Sequence, residues 1–317
     1  MVNLCYNFIE MKKIVLIVGL AASIVLVGGF LWLKNNNSSD DNVVIITTAF
    51  PEYDAVRAVV GDTGLPVKML LKPGSEIHHF EPTPQDVIDI KNADFILYGG
   101  GESEEWLDDL LEDNDIDYDK IWGLTDIVEP DIVGDEEDEH VWTSPLNMAE
   151  IVAVVGDELG EIWPEHAEEF KANAEKYITG IVAVDKDLRE VVKGARAKEL
   201  VFADRFPFYY FTKEYGLDYK AAFPGCAEQT EASSKTVAEL VDEIKADKLG
   251  AVLKIELNDG RLANTIAEAT GAKVMELHSA HNVSQADFDS GVTYVDLMRR
   301  NAEVLKEALK WKMSFWS

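Results

Sequence analysis

Short apolar runs alternate with longer amphipathic stretches from residue 43 onward, and this alternation constrains the fold more than any other feature of the chain. It is the pattern of parallel sheets covered by helices, an α/β architecture. The β-branched run Val43 to Thr48 predicts the first strand, and Pro51 opens a helix through Val60 that ends at Gly61. Val67 to Leu71 and Phe95 to Tyr98 read as further strands. A helix follows Pro145, and Ala167 to about Lys193 carries a long, charge-rich helical pattern with Gly180 as its one weak point. The alternation then restarts. Strands are expected at Leu200 to Phe202, Tyr219 to Ala222, Val252 to Glu256 and Lys273 to Leu277. Helices are expected near Phe206 to Tyr215, over Ser233 to Ala246 and Gly260 to Thr270, and from Thr293 past Leu309. This gives a first lobe over residues 43–165, a linking helix over 166–194 and a second lobe over 195–317, two βα lobes with a cleft between them.

The N-terminus reads differently. Lys12 and Lys13 precede an uncharged stretch over residues 14–33, which at 1.5 Å per residue spans roughly 30 Å, a bilayer core. No small-residue cleavage motif follows, so residues 1–34 read as an uncleaved signal anchor and residues 35–42, rich in Asn, Ser and Asp, as a polar linker. Met11 is an equal candidate for the start. The basic flank places the N-terminus inside, and therefore everything after Lys34 on the extracytoplasmic face of the membrane, or secreted if the segment is cleaved. Neither Cys5 nor Cys226 stands where a lipid-attachment cysteine would, and the membrane would separate the two, so no disulfide is expected.

The formal charge of -30 excludes nucleic acid as a partner, because its phosphates require basic patches. The same acidity suits either a cation-collecting surface or plain solubility in a saline habitat.

Chemistry narrows to the histidines, of which there are 6. His78 and His79 lie in the loop KPGSEIHHFEPTPQD, His140 follows the acidic run GDEEDE, and His278 and His281 lie in LHSAHNVS after a predicted strand. Ligands bind outside the carboxyl ends of strands in open α/β sheets, and neutral imidazole is the commonest metal-binding side chain. His166, after Pro164, reads as a solvated residue at a helix start, and His79 as a supporting or surface group. No HExxH or CxxC pair is present. The residues alone leave two readings open: His78, His140 and His278 converge on one metal ion, or they are unrelated surface histidines.

Longer stretches resolve this. TTAFPEYDAVRAVVGD, LKPGSEIHHFEPTPQD, NADFILYGGGESEEW, DEHVWTSP and YVDLMRRNAEVLKEAL, taken in order, resemble the zinc- and manganese-binding solute-binding proteins of ABC importers, the cluster A-I group. The resemblance covers nearly all of Val43 to Lys310, and its most specific parts are the His-x-x-Glu-Pro loop and the acidic-x-His-Val-Trp loop. It implies two α/β lobes bridged by a rigid helix, a divalent metal between them, limited closure on binding, and delivery to a permease with its ATPase. On this sequence it implies His78 and His140 as ligands.

The chain departs from the family pattern twice. Ala203, in VFADRFPFYYF, stands where relatives carry a histidine or glutamate, and His278 falls near the family's final carboxylate. The expected metal set is therefore His78, His140 and His278, with the fourth position left to Asp204, Glu228, Glu231, His281 or water. An imidazole-rich set favours Zn2+ over Mn2+, and affinity is expected to weaken as pH falls through the histidine range. The acidic loop Asp135 to Glu139 reads as a solvated, mobile surface loop. No enzyme is expected. The alternatives are a surface adhesin or sensor on the same fold, marked by partner binding without metal, and a zinc hydrolase, marked by zinc-dependent turnover.

Overall fold

A computed structural model describes residues 45–77, 80–114, 116, 118–225 and 232–309. The expected anchor over residues 14–33 and the linker over 35–42 lie outside the described residues; among those described, no helix is long and apolar enough to cross a membrane.

The first sheet begins with β1 (Ile45–Thr47), fully buried and β-branched, followed by α1 (Phe50–Val60). Glu52 accepts the Ala49 backbone N–H at 3.1 Å and so satisfies one of the donors left open at the start of α1. β2 (Val67–Met69) follows. The segment read as one continuous loop in fact ends in α2 (Pro84–Asn92). Pro84 supplies the first helical position, while Thr83 and Asp86 bond each other's backbone N–H reciprocally, at 3.3 and 3.0 Å. β3 (Phe95–Tyr98), α3 (Glu105–Asn114), β4 (Ile121–Gly123) and α4 (Leu124–Ile127) complete the βα units, and the strands pair in parallel in the order β2-β1-β3-β4.

β5 (Ile132–Val133) and β6 (Glu136–Glu137) form an antiparallel hairpin where a mobile loop was expected. Gly134, at φ 73°, supplies the left-handed turn residue. α5 (Pro145–Ile162), capped by Ser144, and α6 (Ala167–Lys193) follow. α6 has 27 residues, roughly 40 Å of helix. It packs on α5, on α1 and on the last helix, and Phe170, Ile181, Val184 and Leu188 are its buried stripe.

The second sheet is built from β7 (Glu199–Phe202), α7 (Tyr209–Tyr215), β8 (Asp218–Ala221), α8 (Ser234–Asp247), β9 (Ala251–Lys254), α9 (Arg261–Thr270) and β10 (Lys273–Glu276), all parallel, in the order β10-β9-β7-β8. The helix expected from Phe206 starts only at Tyr209. Pro207 disfavours the helical conformation in the residue before it, and Phe206 and Phe208 instead pack on Phe202. α10 (Gln285–Asp289) follows, and α11 (Tyr294–Ala308) packs back on α6.

Each sheet has a point where successive connections leave in opposite directions: between β1 and β3 in the first, and between β7 and β9 in the second. Side chains just beyond the carboxyl ends of those strands face a crevice, where open α/β sheets bind ligands.

Candidate metal centre

His140 is delivered by the hairpin. Asp138 N–H bonds Asp131 O at 3.0 Å, Asp131 N–H donates to Tyr210 Oη at 2.7 Å, and Tyr210 Oη donates to Asp138 O at 2.8 Å. With the Lys213–Asp131 ion pair, these bonds strap the hairpin to α7, which is why the acidic run is ordered although Asp135, Glu136 and Glu137 remain exposed. Asp138 Oδ1 then accepts both the His140 backbone N–H, at 2.9 Å, and the ring Nδ1, at 3.0 Å. A carboxylate at Nδ1 holds the proton there and leaves Nε2 with a lone pair, the arrangement a metal-binding imidazole needs. The ring is 2% exposed.

His281 follows β10 through a tight turn. Ala280 sits at φ 62°, a region L-residues seldom adopt, and is completely buried. The turn is held on both sides. Ser279 N–H donates to Glu256 Oε2 at 2.7 Å, the Ser279 hydroxyl bonds the other oxygen of that carboxylate, and His281 N–H donates to Ser279 Oγ at 3.2 Å. The far side of the loop is bound to the first lobe. Phe50 N–H donates to His281 O (3.3 Å), Gly74 N–H to Val283 O (2.7 Å), Trp142 Nε1 to Ser279 O (3.0 Å), and Asn282 Nδ2 to Lys72 O and Ser75 O (3.0 and 2.7 Å). His281 reaches the crevice on a second-lobe loop that the first lobe holds in place.

The two rings meet edge to face, with centroids 5.7 Å apart, and Trp142 packs against both at 5.3 and 4.9 Å. They share a cavity of about 50 Å³ whose walls include Glu76, Arg205, Glu256 and Ser279. That volume is close to the space of one or two waters and well below the roughly 300 Å³ at which small-molecule pockets begin.

The structure separates the other candidates. His278, three residues before His281, lines a different surface depression with Glu276, Arg300 and Asn301 and is absent from the cavity that holds His140 and His281. Its Nδ1 accepts Ala280 N–H at 3.0 Å, and its backbone N–H and C=O both bond the Asn301 side chain, at 2.8 and 2.7 Å. Asp204 is 3% exposed and has both oxygens occupied: Oδ1 by Arg205 N and Asn258 Nδ2, Oδ2 by Ile255 N. It ties the β7 and β9 loops together. His166 is half-buried at the start of α6, its ring 5.6 Å from that of Phe170. His78, His79, Glu228 and Glu231 lie outside the described residues. Glu256 and the cross-cleft pair Glu76–Arg205, 2.8 Å apart, carry no local sequence signal that marks them as part of the site.

A buried acidic group backs the imidazoles. Burial pushes the Glu139 carboxyl up, but the neighbouring His140 and His281 and a hydrogen bond from Ser103 N–H at 3.1 Å outweigh this and hold it below the usual carboxylate range. Behind it, burial and then the Glu139 charge raise Glu104 to about 7, against a hydrogen bond from Gly99 N–H, and burial with the Glu104 charge raises Glu52 well above its ordinary value. Glycines make room for this packing. A Cβ at Gly101 would stand 1.9 Å from Glu139 Oε2, and one at Gly99 would stand 2.8 Å from Glu104 Oε2. Elsewhere, Glu199, Glu243 and Asp247 bring carboxylate oxygens within 4.8 Å of one another at the edge of the second lobe. There, burial and proton sharing with Asp247 raise Glu199 to about 7.

Comparison with known proteins bears on the family and the fold. The zinc-binding lipoprotein AdcA of Streptococcus pneumoniae is 30% identical over 312 residues, a match that covers 94% of this chain and 61% of that protein, so the chain spans about three-fifths of the relative's length. The crystal structure of the Zn(II)-bound ZnuA-like domain of that protein superposes with a TM-score of 0.73 at 30% identity, covering 85% of this chain and 99% of the domain. The laminin-binding protein Lmb of Streptococcus agalactiae, described as a bifunctional protein with adhesin and metal transporting activity, gives a TM-score of 0.75 at 26% identity, covering 84% of this chain and all (100%) of that one. The model of the zinc-uptake complex component A, periplasmic (ZnuA) family matches residues 45–308, and the chain belongs to that family.

Proposed function

We propose that this protein is the extracytoplasmic solute-binding component of an ABC importer, that its cargo is Zn2+, and that it hands the ion to a permease driven by its ATPase. One observation carries the reading: two imidazoles, one fixed in the metal-ready tautomer by Asp138, face the same ion-sized cavity at the crevice between two parallel sheets. Family membership supports it independently.

The proposed ligands are His140 and His281, with His78 contributed by the loop after β2 and Glu256, which lines the same cavity, as the carboxylate. His281 replaces His278 in this set, because the turn at Ala280 points the later histidine into the crevice. Nitrogen-rich coordination favours zinc over manganese. Glu139 lies behind the rings as a buried negative charge that offsets the arriving cation. Because hydrogen bonds already hold both described imidazoles in place, capture consists of an ion entering a preformed half-site. Residues 1–34 serve as the membrane anchor and 35–42 as the linker that sets residues 43–317 outside the cell.

Calorimetric titration of the chain with zinc and manganese tests this. The expected result is one zinc bound tightly per chain, with manganese weaker. Absence of tight metal binding would overturn the reading and favour the adhesin alternative, to which the likeness to the laminin-binding protein lends support.

A further inference from the structure

A fixed positive charge lines the same cavity as His140 and His281. The Arg205 side chain, 20% exposed, comes from the loop after β7 in the second lobe. A guanidinium stays charged at any physiological pH. It therefore repels a divalent cation in the crevice unless a carboxylate neutralises it. Asp204, its neighbour in sequence, has both oxygens bound to Arg205 N, Ile255 N and Asn258. Glu256 is held by the N–H and hydroxyl of Ser279. The carboxylate that meets the guanidinium is Glu76, at 2.8 Å, on the first-lobe loop after β2.

We propose that Arg205 sets the metal affinity of this crevice and that Glu76 is the counter-charge controlling it. While the pair is closed, Glu76 offsets the guanidinium at 2.8 Å; when it parts, Asp204 alone remains beside the guanidinium and the ion faces more of its positive charge. The pair joins the first-lobe loop after β2 to the second-lobe loop after β7, so parting of these two loops unpairs Arg205. Affinity then falls at the moment of opening, which is the property a carrier needs in order to release its cargo. This inference rests on the crevice being the metal site.

The test is a zinc titration of the full chain, with a competing chelator, on wild type, Glu76→Gln, Arg205→Met, the double variant, and Glu76→Gln combined with Arg205→Lys. Repulsion between a divalent ion and one charge in a partly desolvated cleft predicts a loss of roughly ten-fold for Glu76→Gln, shrinking at high salt. Arg205→Met should bind as tightly as wild type or tighter, and the double variant should return to within about three-fold of Arg205→Met. The lysine combination, which keeps the charge, should stay weak. Equal losses in both single variants, with no recovery in the double, would mean that the pair only braces the lobes and would overturn the proposal, as would an unchanged Glu76→Gln. His140→Ala and His281→Ala in the same series separate the two ideas. If they lose zinc while Glu76→Gln does not, only the charge role fails; if they bind normally, the crevice is not the metal site.

Discussion

A single oxygen of Asp138 accepts both the backbone N–H and the ring Nδ1 of His140, at 2.9 and 3.0 Å. This double grip fixes the position of the residue and the tautomer of its ring together. Asp138→Asn keeps the shape but loses the charge that holds the proton at Nδ1, and is expected to weaken zinc binding by about 10- to 100-fold with little change in thermal stability. Competition titration together with a melting curve checks both halves of that statement.

The two second-lobe histidines should behave in opposite ways. His281→Ala, like His140→Ala, is expected to reduce zinc affinity by more than roughly 100-fold, beyond what loss of a supporting group alone causes. His278→Ala should leave affinity within about three-fold of wild type and cost roughly 1–3 kcal/mol of stability, since the buried Ala280 N–H loses its acceptor. Denaturant unfolding alongside the titration distinguishes the two. Loss of zinc binding in His278→Ala at unchanged stability would restore that residue as a ligand.

Gly101 has no room for a side chain, because an added Cβ would fall 1.9 Å from Glu139 Oε2 and 2.3 Å from Glu139 Cβ. Gly101→Ala must push the 139–140 segment aside. The expected cost is about 1–3 kcal/mol of stability, accompanied by weaker zinc binding. A variant that binds zinc as wild type does would show that His140 tolerates movement of its neighbour.

Glu104 makes stability depend on pH. Burial first, and then the Glu139 charge, raise it from 4.5 to about 7 in the folded chain. Between those values the folded state keeps a proton that the unfolded state has released, so stability falls as pH rises through this window and levels off above it. The contribution is on the order of 3 kcal/mol. Glu104→Gln is expected to melt several degrees higher than wild type at pH 8 and to lose that advantage near pH 4.5. Melting curves at the two pH values decide it.

Asp54 is completely buried and accepts Tyr294 N–H at 2.7 Å, the Tyr177 hydroxyl and Arg57 Nε at 2.7 Å, joining α1 to α6 and α11. Asp54→Ala strands the partly buried Arg57 and the Tyr177 hydroxyl together, and is expected to cost roughly 3–5 kcal/mol. Zinc affinity of the fraction that remains folded should be unchanged.

Much of this fold was legible because its signals are local. Phe95–Tyr98 is an apolar run of strand length, and Ala167–Lys193 is a long 3.6-period stripe; both appear with the expected limits. β4 was not legible, since Ile-Trp-Gly is too short for its periodicity to show. The hairpin β5–β6 was hidden by its charge, although Gly134–Asp135 between Val133 and Glu136 is a two-residue turn signal. The placement of His281 was the least legible feature. It depends on Ala280 adopting a left-handed conformation that alanine does not advertise, stabilised by contacts with Phe50, Lys72, Gly74 and Trp142 that lie far away in the sequence. Residue type nominated the loop; tertiary packing is what sets its two histidines in different depressions.

The seating of residues 278–284 on the first lobe bears on how such proteins can be recombined. The loop is encoded with one half of the chain, yet its docking surface of Phe50, Lys72, Gly74, Ser75 and Trp142 is encoded with the other. A chimaera that exchanges second halves between relatives at the linking helix brings a foreign loop to an unmatched seat and misaligns the imidazole it carries. The portable unit of inheritance is loop and seat together, and a crossover that respects the visible lobe boundary breaks it.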